Sequence, residues 1–299
     1  MYVAAEQIVS LPKAGLQKLN HPLAEQFGVE VDVLRLDKIH PVISGNKFFK
    51  LRYFVEEARQ YNKSIVTFGG PWSNHLVATA YICKHLDIAC VGLIRGERPP
   101  ILSATLADCE SWGMKLVFIS RQDYRDKNVP SMFQQNVVII PEGGASAIGV
   151  QGAATILDYL DGADFTEIFC SLGTGTMMAG LLQQSSAMIH GIPALKIPTE
   201  EQPGFEHFLR QHTVNRNFRL DYRFHFGGYS KHPAELIAFM NEFYEQTGIP
   251  TDLVYTAKLF FGLMQIIKEG AIARGSKICV VHSGGLQGNR SLSRGALVY

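Results

Sequence analysis

Three short stretches of the 299-residue chain hold the residue types that chemistry needs. Ser44 to Tyr53 (SGNKFFKLRY) puts two lysines at the start of an amphipathic segment, with Lys50 on the same helical side as Phe54. Burial disfavours an ammonium, so an amine carried inward on that side can lose its charge and form a Schiff base. Most helical lysines are merely solvated, and spacing alone leaves both readings open. Gly69 to His75 (GGPWSNH) follows an apolar run and offers a hydroxyl, an amide and an imidazole at a helix start, although Ser73 suits a simple N-cap equally well. A serine hydrolase would need Gly-x-Ser-x-Gly, which is absent around Ser73. Cys170 to Thr176 (CSLGTGT) ends another apolar run and opens a helix expected over Met177–Leu182. Glycines there let backbone N–H groups converge on an anion at a helix N-terminus. No Gly-Lys-Ser/Thr follows, and the third glycine and acidic partner of a dinucleotide fingerprint are missing, so a single phosphate monoester fits better. A plain strand-to-helix turn is the alternative.

The elements that must position these residues are short unalternating apolar runs at Ile65–Phe68, Ala89–Ile94, Lys115–Ile119, Val137–Ile140, Glu167–Ser171, Ala194–Ile197 and Lys277–His282. Such runs suit strands buried on both faces. Helical spacing falls between them, as in Leu51-Phe54-Val55-Ala58, Leu76-Val77-Ala80-Cys83 and Leu236-Phe239-Met240-Phe243. The alternation predicts an α/β fold of two open, twisted, mostly parallel sheets with helices on both faces. Glycine pairs close four of the runs, at Gly69-Gly70, Gly143-Gly144, Gly173/Gly175 and Gly284-Gly285, which suggests one site built from several strand ends. Breaks near Ser44-Gly45 and Pro141–Gly144 predict a smaller domain over 45–145 and a larger one from 1–44 plus 146–299.

Composition bounds the rest. Hydrophobic residues make up 46% and charged residues 18%, which permits a sizeable core. A net charge of +1 gives no footprint for nucleic acid or an anionic membrane surface. Five cysteines without a C-x-x-C pair read as reduced core residues of a cytoplasmic protein. The first fifteen residues lack a secretory pattern. Cys170–Leu195 holds no charged residue, yet its Gly, Gln, Ser, His and Pro favour a buried strand, loop and helix over a membrane span. His75, His225, His232 and His282 lack paired ligand spacing, so no metal site is expected.

Together the three stretches resemble the pyridoxal-phosphate enzymes of the tryptophan-synthase β-type fold, specifically the group of 1-aminocyclopropane-1-carboxylate deaminase and D-cysteine desulfhydrase. The resemblance runs from about Leu11 to the C-terminus and implies a fold type II enzyme with its cofactor in the inter-domain cleft and a homodimeric assembly. In the family's Gly-Asn-Lys-x-x-Lys-Leu stretch it implies that Lys50 carries the cofactor. In the Gly-Gly-x-x-Ser-Asn element it implies Ser73 as active-site serine and Asn74 as partner of the cofactor's phenolic oxygen, with His75 beside the substrate. Gly173, Thr174, Gly175 and Thr176 match the phosphate cradle, and Tyr229, in Phe226-Gly227-Gly228-Tyr229, matches a tyrosine brought to the substrate. Thr251 to Lys258 resembles the family's Asp-Pro-Val-Tyr-x-Gly-Lys, with Tyr255 as active-site tyrosine. Trp72, Leu253 and Ala257 depart from these patterns, and the stretch over 95–111 looks trimmed.

Thr256 and Ser283 stand where the cyclopropane deaminases carry glutamate and leucine and the desulfhydrases carry small polar residues. The resemblance therefore implies a deaminating lyase acting by β-elimination on D-cysteine or a related D-amino acid, with Lys50 moving the proton, Ser73 holding the carboxylate or relaying a proton, and Tyr255 protonating the leaving group. The alternatives are 1-aminocyclopropane-1-carboxylate deamination, deamination of another small D- or hydroxy-amino acid, and a non-catalytic carrier or sensor of the cofactor.

Overall fold

The computed structural model describes residues 15–160 and 162–299; the leader reading and the start of the resemblance fall almost wholly outside them. In chain order the regular elements are β1 (Leu16–Lys18), α1 (Pro22–Phe27), β2 (Glu30–Arg35), α2 (Asn46–Gln60), β3 (Ser64–Gly69), α3 (Asn74–His85), β4 (Cys90–Arg95), α4 (Ala104–Ser111), β5 (Lys115–Ile119), α5 (Arg121–Asp126), β6 (Val137–Ile140), α6 (Ala147–Ala154), β7 (Glu167–Leu172), α7 (Thr176–Gln184), β8 (Met188–Pro193), α8 (Gln202–His212), β9 (Phe218–Leu220), α9 (Ala234–Thr247), α10 (Thr256–Lys268) and β10 (Lys277–His282). They form two sheets, ordered β5-β4-β3-β6 and β1-β2-β10-β7-β8-β9, parallel throughout except for the β1–β2 edge pair.

The strands of the smaller sheet lie within 64–140, inside the segment read as the smaller domain. α2 belongs to that segment by sequence, yet it packs chiefly against α6, outside it. A single apolar cluster accordingly runs from Leu34 and Val281 of the larger sheet through Phe49 and Val150 to Ile65 and Ile94 of the smaller. Each fully buried side chain of this size contributes roughly 1.5–3 kcal/mol, so the two sheets are joined by core.

The run at Ala194–Ile197 is not a strand. β8 lies just before it, where His190 stacks on Phe169 and pairs with Glu167, and where Gly191 leaves room for the side chains of Leu172 and Leu220. The Ala194 carbonyl is taken by Lys258 Nζ at 3.0 Å, which draws the chain off the sheet. β2 escaped prediction because charged residues interrupt it, and the polar segment after Ser120 is the capped helix α5.

One contact fixes how α2 meets the larger sheet. Gly45, at φ +71°, caps α2 where a Cβ would lie 1.7 Å from the Ser283 carbonyl oxygen. The Gly45 N–H donates to Leu36 O at 2.8 Å, and the Asn46 N–H donates to Ser283 O at 3.2 Å. Backbone thus lies on backbone, and only glycine permits both the approach and the dihedral. Gly45→Ala is expected to cost about 2–4 kcal/mol through overpacking and a left-handed alanine. Urea denaturation measures this, and a loss below about 0.5 kcal/mol contradicts the account.

Candidate active site

The carboxyl ends of both sheets open on a shared cavity of about 390 Å³. Its wall includes Lys47 and Lys50 from α2, the Gly70–His75 turn after β3, Gly173–Gly175 after β7, Ser283–Gly285 after β10, and the tyrosines 229 and 255. Residues distant in sequence meet there because parallel strands deliver their following loops to the same edge.

Lys50 is 5% exposed, its stem packed near Gly144, and burial followed by the neighbouring Lys47 charge pushes its pKa well below that of an ordinary lysine. Lys47 is one turn earlier. Its ammonium donates to Asn46 Oδ1 at 2.6 Å and lies 5.8 Å from the Tyr255 ring centre, and burial lowers its pKa to about 8 against the pull of Asp252. Two amines therefore share one poorly solvated site. The sequence reading singled out only Lys50, because the inward face of α2 favours it and Lys47 is presented from the helix's first turn.

At the start of α3, Ser73 is both cap and wall: its Oγ accepts from the Leu76 N–H at 3.3 Å while the residue faces the cavity. His75 is buried. Thr67 donates its hydroxyl proton to Ile140 O, so at 2.8 Å it accepts from His75 Nε2–H, which leaves Nδ1 bare. Burial, with both lysine charges, lowers the His75 pKa to about 3, so the ring is neutral. Asn74 Oδ1 and His75 Nδ1 are buried beside the cavity without a partner among the described residues. Such orphans call for a polar guest.

The glycine loop suits a phosphate. α7 begins at Gly175, at φ +81°, with no side chain capping it, so its first N–H groups stay available to an anion. Thr174 lines the cavity and shares a 2.8 Å hydrogen bond with Thr176, whose side chain is fully buried behind it. Ser283 is 7% exposed and hydrogen-bonded to Ser171 Oγ at 3.1 Å, giving the floor a pair of neutral hydroxyls. The donor set thus fits a phosphate-bearing aromatic aldehyde: an amine, a cradle, and polar atoms left for the ring.

Tyr229 and Tyr255 meet edge-on with ring centres 6.3 Å apart. Burial pushes the Tyr255 pKa well up, so its hydroxyl keeps its proton. Fully buried Asp252 seats this tyrosine by accepting from the N–H groups of Val254, Tyr255 and Thr256 at 2.8–3.0 Å. Thr256 departs from the expected substrate contact: its hydroxyl donates to Asp252 Oδ1 and accepts from the Asp252 N–H, and the residue lies outside the cavity wall. Lys258 is fully buried and donates to the carbonyls of Ala194 and Gly228, each next to a wall residue, Leu195 or Tyr229. The sequence reading assigned no role to Asp252, Lys258, Arg95 or Glu142. Arg95 carried a signal in following a predicted strand directly, and Asp252 and Lys258 in standing at the ends of the matched Asp-to-Lys motif.

Comparison with known proteins agrees with this geometry. The family model for pyridoxal-phosphate dependent enzymes matches residues 16–284, and the chain belongs to that family. A Thermotoga maritima protein provisionally named as a 1-aminocyclopropane-1-carboxylate deaminase is 29% identical, covering 91% of this chain and 94% of the relative. The Arabidopsis thaliana bifunctional D-cysteine desulfhydrase/1-aminocyclopropane-1-carboxylate deaminase, mitochondrial, is 26% identical over 87% of this chain and 73% of its own. A solved structure of an ACC deaminase homologue superposes with a TM-score of 0.77 at 23% identity, covering 97% of each chain, which shows the shared fold. The cofactor of the family is pyridoxal phosphate.

The buried amine has a measurable cost. With Lys47 at about pH 8 when folded and an exposed lysine at 10.5, the unfolded chain binds more protons between those values. The penalty is therefore full below about pH 8 and fades as pH rises toward 10.5. Cofactor-free Lys47→Met is expected to gain on the order of 1–3 kcal/mol at pH 7, a gain that shrinks toward pH 10. Urea melts at the two pH values test this, and a loss of stability at pH 7 contradicts it.

Proposed function

We propose that this member of the pyridoxal-phosphate dependent enzymes catalyses β-elimination on a small amino acid that carries a leaving group on Cβ, with D-cysteine as the simplest test substrate. The observation that carries the reading is the neutral Ser171–Ser283 pair on the cavity floor. We assign Ser283 to the cofactor's ring nitrogen. A hydroxyl there draws electrons less strongly than an acid would, which suffices when a good leaving group departs. Cyclopropane ring opening has no Cα–H to remove and makes a heavier demand.

Bound pyridoxal phosphate supplies the electron sink that acidifies the Cα–H of an attached amino acid. The remaining work falls to the chain. We assign cofactor attachment to Lys47 rather than to Lys50. Asn74, the expected partner of the phenolic oxygen, and Asp252 both border Gly285, and Lys47 feels the Asp252 charge. Lys50 instead lies toward Gly144 and Cys170. Lys47 accepts the Cα proton, while Lys50 lines the cavity beside it with its pKa held well below that of an ordinary lysine by burial and the Lys47 charge. Ser73 and the start of α3 receive the substrate carboxylate. Tyr255, held protonated and seated by Asp252, donates to the leaving group, and the neutral His75 bounds the pocket.

Borohydride reduction of the holoenzyme followed by peptide mapping is expected to place the cofactor on Lys47, and an adduct on Lys50 would restore the assignment implied by the family resemblance. A substrate panel tests the reaction itself. Pyruvate and sulfide from D-cysteine are expected. 2-Oxobutyrate from 1-aminocyclopropane-1-carboxylate as the dominant product contradicts the elimination reading, as does silence across D- and L-amino acids.

A further inference from the structure

Arg95 closes β4 at the carboxyl edge of the smaller sheet, where parallel sheets present their ligand-binding residues. Ile94 pairs with Gly69, so Arg95 stands beside the turn that leads to Ser73. It lines the cavity, and among the described contacts its guanidinium forms no hydrogen bond or ion pair; the Tyr124 ring centre lies 5.9 Å away. Glu142, the one carboxylate in the cavity wall among the described residues, is engaged by Lys127 at 2.8 Å. The buried Tyr124 hydroxyl has no hydrogen-bond partner among the described residues, and burial with the nearby Glu142 raises its pKa. Tyr229 also feels the Arg95 charge.

An unpaired planar cation at a strand end suits the paired oxygens of a carboxylate, phosphate or sulfonate. The start of α3 already provides for the substrate's α-carboxylate, so this second receptor is left for the other end of the molecule. Resting on the β-elimination reading, we infer that Arg95 binds an oxyanion borne by the substrate's leaving group, and that the substrate class comprises amino acids of the O-phosphoserine or S-sulfocysteine type. The Cα proton passes to Lys47 and the Cβ–O or Cβ–S bond breaks. The bonding pair leaves with phosphate or thiosulfate, whose charge Arg95 compensates, and water completes release of pyruvate and ammonia without an oxidant or reductant.

The test uses the holoenzyme and dead-end ligands, so that binding is read apart from turnover. Calorimetry is run with 2-amino-3-phosphonopropionate and with 2-aminobutyrate, in both enantiomers, on the parent chain and on Arg95→Gln. The phosphonate is expected to bind the variant about 10- to 100-fold more weakly, as for one charge-assisted contact, while 2-aminobutyrate binds both alike. Equal weakening of both ligands, or no weakening of either, overturns the inference. Arg95 is exposed at a strand end, and retained cofactor absorbance confirms that the variant is folded. A parent enzyme that binds as expected but turns over no substrate would count against the elimination reading and leave the Arg95 result standing.

Discussion

The site depends on the meeting of Gly45 with the Ser283 carbonyl. This contact joins the first turn of α2 to the end of β10 with no side chain between them. It sets the lysines of one segment against the serine and glycines of another more than two hundred residues later. The close approach also explains why the core is continuous across both sheets: α2 lies on α6, and neither sheet can shift without disturbing the other.

That arrangement forces several ionisable groups into a poorly solvated space. Burial lowers the pKa of both adjacent amines, and Lys50 feels the Lys47 charge in addition. The same low polarity keeps His75 unprotonated and Tyr255 protonated. Stability lost to burying Lys47 and Lys258 is offset by apolar packing elsewhere. Such local conflict is expected where a chain is shaped for chemistry.

Much of this was legible beforehand. Unbroken apolar runs marked the central strands because both faces are buried, and glycine pairs marked the strand ends that converge. β2 and β8 were obscured by charged residues and by His190-Gly191, which find partners only across the sheet. Thr256 looked like a substrate contact until the structure showed its hydroxyl committed to Asp252. The choice between Lys47 and Lys50 turns on neighbours that spacing does not encode, namely Asp252 and Gly285 for one and Gly144 and Cys170 for the other.

The central claim is that the junction which positions the lysines also gives the cofactor ring a neutral partner, the Ser283 hydroxyl on its Ser171 support. Nitrogen-15 NMR of the holoenzyme, reconstituted with cofactor labelled at the ring nitrogen, tests it directly. The account predicts the chemical shift of an unprotonated pyridine nitrogen at neutral pH. A shift typical of a protonated pyridinium would contradict it.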